Sequence, residues 1–263
     1  KNLVLVTKII KYTGNMQLAS IIIPYYKKKN YIYKSINSAL NQSYKNFEII
    51  LIYDDQDKED LVFLKKKYGK NKKIRIIDNK KNIGAGMSRN IGIEVSKGRY
   101  IAFLDADDEW NKNKLKEQIN FMLKNKILIS HTSYNIQNKK GLNIKSRKAR
   151  NFFETNDLLK SCDIGLSTVV MEKKIYGKKC KFSNLKTKED FIFWLKILNK
   201  GYKIYGLNKS LTIWKKTENS LSSSTYQKLK DGFKVYYDYM NFNFFKSLFY
   251  LTYLSLNYLR KDL

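Results

Sequence analysis

The chain has one proline, Pro24, one histidine, His131, and two cysteines, Cys162 and Cys180. It has no Pro-, Gly- or Ser-rich linker. Its 263 residues suffice for one sizeable α/β domain or two small ones. The cysteines form no CxxC pair, and a lone histidine leaves little for zinc. Ordinary thiols in a reduced, cytoplasmic compartment are expected, with His131 in a structural role on or near a strand. No run reaches the roughly 18–20 uninterrupted apolar residues of a membrane span. The lysine-flanked apolar run near the start lacks a small-residue cleavage site, so no signal peptide is expected. Residues 1–17 read as an N-terminal extension, with Met16 as the expected natural start.

Acidic residues are also scarce: 23 against 52 Lys plus Arg, a net charge of +29. Such a surface attracts nucleotides, nucleic acid, anionic lipid headgroups or acidic glycans. Lys, Asn and Ile are abundant throughout, so compositional bias is the competing explanation.

What is present is an alternation of strands and helices, which predicts a mainly parallel sheet. Strands are expected over Ser20–Tyr25, Phe47–Tyr53, Ile74–Ile77, Arg99–Leu104 and Ile127–Ser133. Helices are expected over Tyr31–Leu40, Lys58–Tyr68, Ala85–Ser96 and Lys112–Lys124. After residue 140 the pattern loosens. A short helix near Asp157–Ser161, a strand near Thr168–Met171 and a strong helix over Glu189–Asn199 are expected. Two short strands, Lys203–Leu207 and Leu211–Trp214, follow, and then a helical, aromatic tail, Tyr226–Leu259.

In an open parallel sheet, ligands bind beyond the carboxyl ends of the strands. Those ends carry Pro24-Tyr25-Tyr26, Asp54-Asp55, Asn79 and Asp105-Ala106-Asp107-Asp108. Several carboxylates thus converge in a basic protein, which calls for a cation or cationic side chain between them. Asp105-x-Asp107 suits a hard divalent ion, Mg²⁺ or Mn²⁺, which joins one or two carboxylates to substrate phosphates. The plainer reading is a turn capping the next helix. Asp54 and Asp55 can accept from a base N–H or a ribose hydroxyl, or serve as turn residues. Asn82-x-Gly84 leads into a helix that carries Arg89, suited to phosphate or a carboxylate. The glycine spacing there argues against a dinucleotide-binding Rossmann site. Glu189-Asp190 opens an apolar helix, either as macrodipole partners or with a general base among them.

Taken in this order, the motifs resemble the family 2 glycosyltransferases, inverting enzymes of the GT-A fold, from about Ala19 to Ser222. The resemblance implies a catalytic domain over 18–222, with a nucleotide-binding half (18–110) and an acceptor-side half (111–222). A helical tail occupies 223–263. It further implies that Pro24, Tyr25 and Tyr26 border the nucleobase, and that Asp54 and Asp55 contact uracil and ribose. The segment Asn82-x-Gly84 to Arg89-Asn90-x-Gly92 matches a family segment. Asp105 and Ala106 would line the donor, Asp107 would hold the metal, and Asp190, beside Glu189, would be the base. Where many members have Arg and His before Asn-Ser, this chain has Lys215 and Thr217. Lys215 can still neutralise a leaving diphosphate as a point charge.

The implied reaction moves a sugar from a nucleotide-diphosphate donor, UDP-linked first of all with dTDP and GDP open. The acceptor is a glycan or lipid-linked acceptor hydroxyl of the cell envelope. A sugar-phosphate nucleotidyltransferase would need a Gly-rich loop after the first strand, and Tyr25–Asn30 has no glycine. A basic nucleic-acid- or anion-binding protein fits the charge, but no common nucleic-acid motif occurs and no nucleic-acid partner is expected. A degenerate transferase stays open. The tail either packs on the core or a second subunit, or gives a peripheral contact at the inner face of the cytoplasmic membrane.

Overall fold

The computed structural model describes residues 17–138, 140–217 and 224–262. The expected start at Met16 and the Asn219-Ser220 pair lie outside the described residues. Strands β1 (Ala19–Tyr25), β2 (Phe47–Tyr53), β3 (Ile74–Asp78) and β4 (Tyr100–Phe103) form the parallel half of a mixed sheet, in the order β3-β2-β1-β4. Their near-continuous apolar runs follow from burial on both faces. Ile21, Ile23 and Tyr25 of β1 share one core with helices α1 (Lys29–Leu40), α2 (Glu59–Tyr68) and α4 (Lys114–Lys124). Ile22, between them, belongs to a second core with Ile93 of α3 (Ala85–Val95) and Phe191–Leu195 of α6 (Glu189–Asn199). Helix α5 (Thr155–Leu159) adds Leu158 and Leu159 to that second core.

Strand order reverses between β1 and β4. In open α/β sheets the crevice outside the carboxyl ends of the strands at such a reversal is where ligands bind. The register puts Tyr25 level with Tyr53, and Tyr53 level with Asp78, so the residues after each strand meet at one edge.

Beyond β4 the sheet continues antiparallel through β8 (Val170–Glu172) to β6 (Ile129–Gln137), then parallel to β9 (Tyr205–Lys215), whose far edge takes β5 (Glu109–Trp110). The two short strands expected over 203–214 are one strand. It bulges where its register against β6 slips between Thr132 and Tyr134, which breaks the alternation a sequence shows. Two further pieces were not expected. The two-residue β5 is too short to carry a periodic signal, and the basic, largely exposed β7 (Asn143–Arg147), hairpinned onto β6, buries no apolar face.

The expected helical tail consists of α7 (Thr225–Lys234), a π-helical turn over Val235–Tyr239 and α8 (Phe244–Asp262). Val235, Tyr236 and Leu254 enter the second core, and the Tyr236 hydroxyl donates to Leu159 O at 2.6 Å. No helix among the described residues is long and apolar enough to cross a membrane. His131 lies buried on β6, its Nε2 donating to Arg150 O at 2.7 Å, and burial lowers its pKa to about 4.

Lys114 is fully buried at the start of α4. Its ammonium lies 3.9 Å from the Trp110 ring centroid, without a hydrogen bond among the described residues. Burial drives its pKa well below the ordinary lysine value. The unfolded chain therefore binds more protons over the range between the two values, and stability rises with pH across it. Lys114→Met, similar in length and apolar, should stabilise the fold by about 1–2 kcal/mol near neutral pH. It should also flatten that rise, as read from melting temperatures across pH 6–10.

Candidate active site

The second strand hands the chain to Asp54, whose carboxylate is fully committed. Oδ1 accepts from Asn79 Nδ2 (2.8 Å) and Ile83 N (3.0 Å), and Oδ2 from Gly84 N (2.8 Å). Asn82 Nδ2 returns a bond to Asp54 O at 2.8 Å. Gly84 has φ +88, a conformation that suits glycine, and it turns its N–H into Asp54. Asp54 thus holds the Asn82–Gly84 loop. Its neighbour Asp55 accepts at Oδ1 from Asp57 N at 3.3 Å, and its other oxygen makes no hydrogen bond among the described residues.

The rest of the segment has equally local causes. A Cβ on Gly86 would lie 2.5 Å from Ser183 O, so only glycine lets α3 approach this strap. Asn90 clamps Phe182 through both backbone atoms, each bond 3.0 Å. Gly92 seats Ile22 against α3, where a Cβ would meet the isoleucine at 2.5 Å.

Between these anchors Arg89 is buried and bridges two carboxylates. Nη2 donates to Asp105 Oδ1 at 2.7 Å and Nη1 to Glu189 Oε1 at 2.8 Å. Of the two partners left open by the sequence, carboxylate and phosphate, the structure gives Arg89 the carboxylates. The Asp105 loop and the start of α6 are thereby tied to one guanidinium.

The loop after β4 is braced on all sides. Ser35 Oγ of α1 faces the carbonyls of Ala106 (2.9 Å) and Asp108 (2.5 Å). Ser167 Oγ accepts from Asp105 N at 3.0 Å and donates to Asp108 Oδ2 at 2.5 Å. Burial, then the charges of Asp107 and Asp105, raise the Asp108 pKa well above the carboxylate range. Asp107 points elsewhere. Its Oδ2 meets Lys28 Nζ at 2.7 Å and accepts from Thr217 Oγ1 at 3.0 Å. Lys215 donates its backbone N–H to Asp108 Oδ1 (3.2 Å), while its ammonium pairs with Glu109.

Tyr25 sits in the core, stacked on Tyr53 at 4.9 Å with its hydroxyl on Asp60, so its ring is part of the packing below the crevice. Pro24 and Tyr26 are half-buried at the rim.

Glu189 and Asp190 open α6. Phe191 N donates to Asp190 Oδ1 at 2.7 Å, and Oδ2 has no hydrogen bond among the described residues. Burial raises the Asp190 pKa against the lowering charges of Lys188 and Arg89. Burial and the adjacent Asp190 charge push Glu189 up to about 7, with Arg89 opposing. The turn into this helix is held from the tail. Asp231 of α7, buried, accepts from both Thr187 N and Thr187 Oγ1 at 2.9 Å, and Lys188 then takes φ +66.

Sequence reasoning did not single out Lys28, one of three consecutive lysines, nor Ser35, Ser167, Thr187 or Asp231. Short polar residues that act through folded contacts leave no periodic signal. Thr217 was marked only as a departure from the family pattern.

A strand-order reversal with an acidic loop and a carboxylate-bearing helix start gathered beyond its strand ends is the arrangement at which open α/β sheets bind ligands. The profile of "Glycosyl transferase family 2" matches residues 20–185, and the chain belongs to that family and is a glycosyltransferase. It is similar to TuaG of Bacillus subtilis (strain 168), named for teichuronic acid biosynthesis, at 32% identity over 94% of this chain and 98% of the relative. It is also similar to WfaP of Escherichia coli, named as a UDP-Glc:alpha-D-GlcNAc-diphosphoundecaprenol beta-1,3-glucosyltransferase. That match has 37% identity over 81% of this chain and 83% of the relative. The fold matches S. aureus TarS residues 1–349 in complex with UDP-GlcNAc, with TM-score 0.67 and 22% identity. It covers 84% of this chain, and the chain spans 64% of that one.

Asp231→Ala would strand the Thr187 N–H and hydroxyl in a buried site, at a cost of about 1–3 kcal/mol. The expected outcome is a lowered melting temperature together with a fall in kcat larger than any rise in the donor KM. An unchanged kcat would show that Asp231 does not position the start of α6.

Proposed function

We propose that this protein is an inverting glycosyltransferase. It moves a sugar from a UDP-linked donor to a hydroxyl of a glycan or lipid-linked acceptor in cell-envelope polysaccharide or glycolipid synthesis. The observation that carries the reading is Arg89. One buried guanidinium holds the Asp105 loop and the Asp190 helix start together across the crevice. The names of the E. coli and B. subtilis relatives support the donor and the acceptor class.

Asp55, with a carboxylate oxygen to spare, is the group that accepts from base or ribose, and Asp54 positions the loop beside it. Pro24 and Tyr26 form the rim around the base. Asp190 takes the proton of the acceptor hydroxyl through its open Oδ2. The acceptor oxygen bonds to the anomeric carbon as the bond to the diphosphate breaks, and the configuration inverts. Lys28 and Lys215 supply positive charge toward the departing diphosphate.

The donor set also suits a divalent cation, Mn²⁺ or Mg²⁺. Asp107 offers one carboxylate and Thr217 one hydroxyl, and no cluster of three His, Cys, Asp or Glu able to hold a metal occurs among the described residues. Such an ion would take its remaining ligands from the donor phosphates and water. When bound, it neutralises charge developing on the leaving diphosphate.

Helix α8 turns one face outward, with Phe245 81%, Phe249 56%, Leu256 50% and Leu259 58% exposed. Lys160 lies beside this face, over Tyr253, and Lys228 lies over Tyr258 of the same helix. This combination fits an anionic bilayer surface bearing a lipid-linked acceptor, a peripheral contact at the cytoplasmic face of the membrane.

Four measurements test the reading. A melting-temperature screen with UDP, GDP, dTDP and CDP, with and without Mn²⁺, should show a metal-dependent rise with UDP that Asp107→Ala removes. At about 100 times Kd the gain is about 2.7 kcal/mol. Asp190→Asn should lower kcat by about 10²–10⁴-fold and spare UDP binding. Because Asp190 acts ionised and burial raises its pKa, activity falls on the acid side, and Lys188→Gln should shift that limb to higher pH. Flotation with phosphatidylglycerol vesicles should recover the protein, and Phe245→Asp with Phe249→Asp should abolish recovery.

A further inference from the structure

Four carboxylates at the strand ends, Asp54, Asp105, Asp107 and Asp108, each have a neutralising partner, and only one of those partners is built to leave. Asp54 is held by backbone and amide N–H groups, Asp105 by the buried Arg89, and Asp108 by Ser167 and the Lys215 backbone. Those partners are fixed by backbone position or by burial. Asp107 is held instead by Lys28, a point charge on a flexible four-carbon stem. The pair spans the switch point, since Lys28 belongs to the loop after β1 and Asp107 to the loop after β4. Both side chains are largely desolvated, 15% and 17% exposed, so their attraction is little screened. Thr217 closes the group. Its hydroxyl donates to Asp107 Oδ2 at 3.0 Å and accepts from Lys28 Nζ at 2.9 Å. The backbone at Lys27, φ +49, aims the next residue across the crevice.

The geometry points to Lys28 as an internal counter-cation that holds Asp107 in the nucleotide-free enzyme and yields it to a divalent metal only when a donor diphosphate arrives. This rests on the assignment of Asp107 to the metal. A metal arriving alone would meet a carboxylate whose Oδ2 already holds an ammonium at 2.7 Å, and even at the remaining Oδ1 the two cations would repel. A diphosphate brings negative charge that can take up both. Lys28 would then turn from Asp107 to the phosphate oxygens, leaving the whole Asp107 carboxylate to hold the ion. Metal and nucleotide binding are thereby coupled through one side chain, and linkage makes the coupling reciprocal. Lys28 is a positioning and charge-compensating residue in this account, and it makes no bond to the reacting carbon.

The test measures Mn²⁺ binding to the whole protein, by the electron-spin-resonance signal of free Mn²⁺, with and without UDP. Wild type should bind Mn²⁺ weakly alone and far more tightly with UDP. Lys28→Met keeps the length and removes the charge. It should raise nucleotide-free Mn²⁺ affinity by about tenfold or more and shrink the gain from UDP. Lys28→Arg should keep the wild-type coupling. If Lys28→Met does not fold, Thr217→Val, which removes only the hydroxyl that closes the group, should raise nucleotide-free affinity by a smaller factor. Nucleotide-free affinity within twofold of wild type in Lys28→Met overturns the inference, and the transferase reading stands if Asp107→Asn still abolishes Mn²⁺ binding in the presence of UDP. If Asp107→Asn leaves that binding intact, the metal assignment itself fails.

Discussion

The site depends on one buried cation. Arg89 lies beneath the crevice with carboxylates on both ends of its guanidinium, one 16 residues away in sequence and the other 100. Taking an arginine out of water is costly, and the cost is offset only while both carboxylates and their geometry are kept. Burial opposes its charge, but Asp105 and Glu189 together hold its pKa above the ordinary value. Everything around it serves that geometry. Gly86 lets the 183 strap approach, Asn90 fixes Phe182, and the Phe182 ring lies 5.7 Å from the guanidinium carbon. Removing either carboxylate would leave a buried positive charge undercompensated, so the donor-side loop and the base-bearing helix are constrained as a unit.

The second constraint is repulsion among acids in a protein of net charge +29. Distant surface lysines are screened by solvent and do little for carboxylates a few ångströms apart. The relief is local and differs at each position. Asp54 is neutralised by N–H dipoles, Asp105 by a guanidinium, and Asp108 by a raised pKa and two hydrogen bonds. Asp190 sits in the first turn of α6, where the free backbone N–H groups favour a negative charge. The same amino acid thus takes a structural position, the position proposed for the metal ligand and the position proposed for the base within one crevice, sorted by what lies next to it.

How much of this was legible in the sequence follows from the same distinction. The parallel half could be read because strands buried on both faces must be apolar throughout, as in Ile21–Ile23 and Ile49–Ile52. Residues aligned at strand ends could be read as a site because the fold brings those ends together. Their individual jobs could not. Tyr25 and Tyr26 are adjacent and alike on paper, yet strand alternation sends Tyr25 into the core and leaves Tyr26 at the rim. Asp54 and Asp55 look like one acidic pair, but only Asp54 lies within reach of Ile83 N and Gly84 N. The bulged β9 was read as two strands because its register slip interrupts the alternation, and the hairpin strand β7 escaped notice because it lacks the regular burial that creates periodicity. Lys28 could not be told from its two lysine neighbours until the chain turned at Lys27.

The tail shows how a change in composition differs from a boundary in packing. After residue 222 the sequence turns aromatic and helical, which leaves open packing on the core or a second subunit and a peripheral membrane contact. In the fold, Tyr236 is wholly buried, in edge contact with Phe191 of α6 at 6.3 Å and stacked on Tyr250 of α8 at 5.5 Å. Gly232 admits Leu251 between the two tail helices. Asp231, one residue earlier, reaches the turn before Glu189. The helix that carries the proposed base therefore has the catalytic fold on one side and the tail on the other. Cutting at the compositional boundary would expose the apolar side of α6 and leave Thr187 without its acceptor. The tail completes the second core, and its outward face is surface that the core does not need.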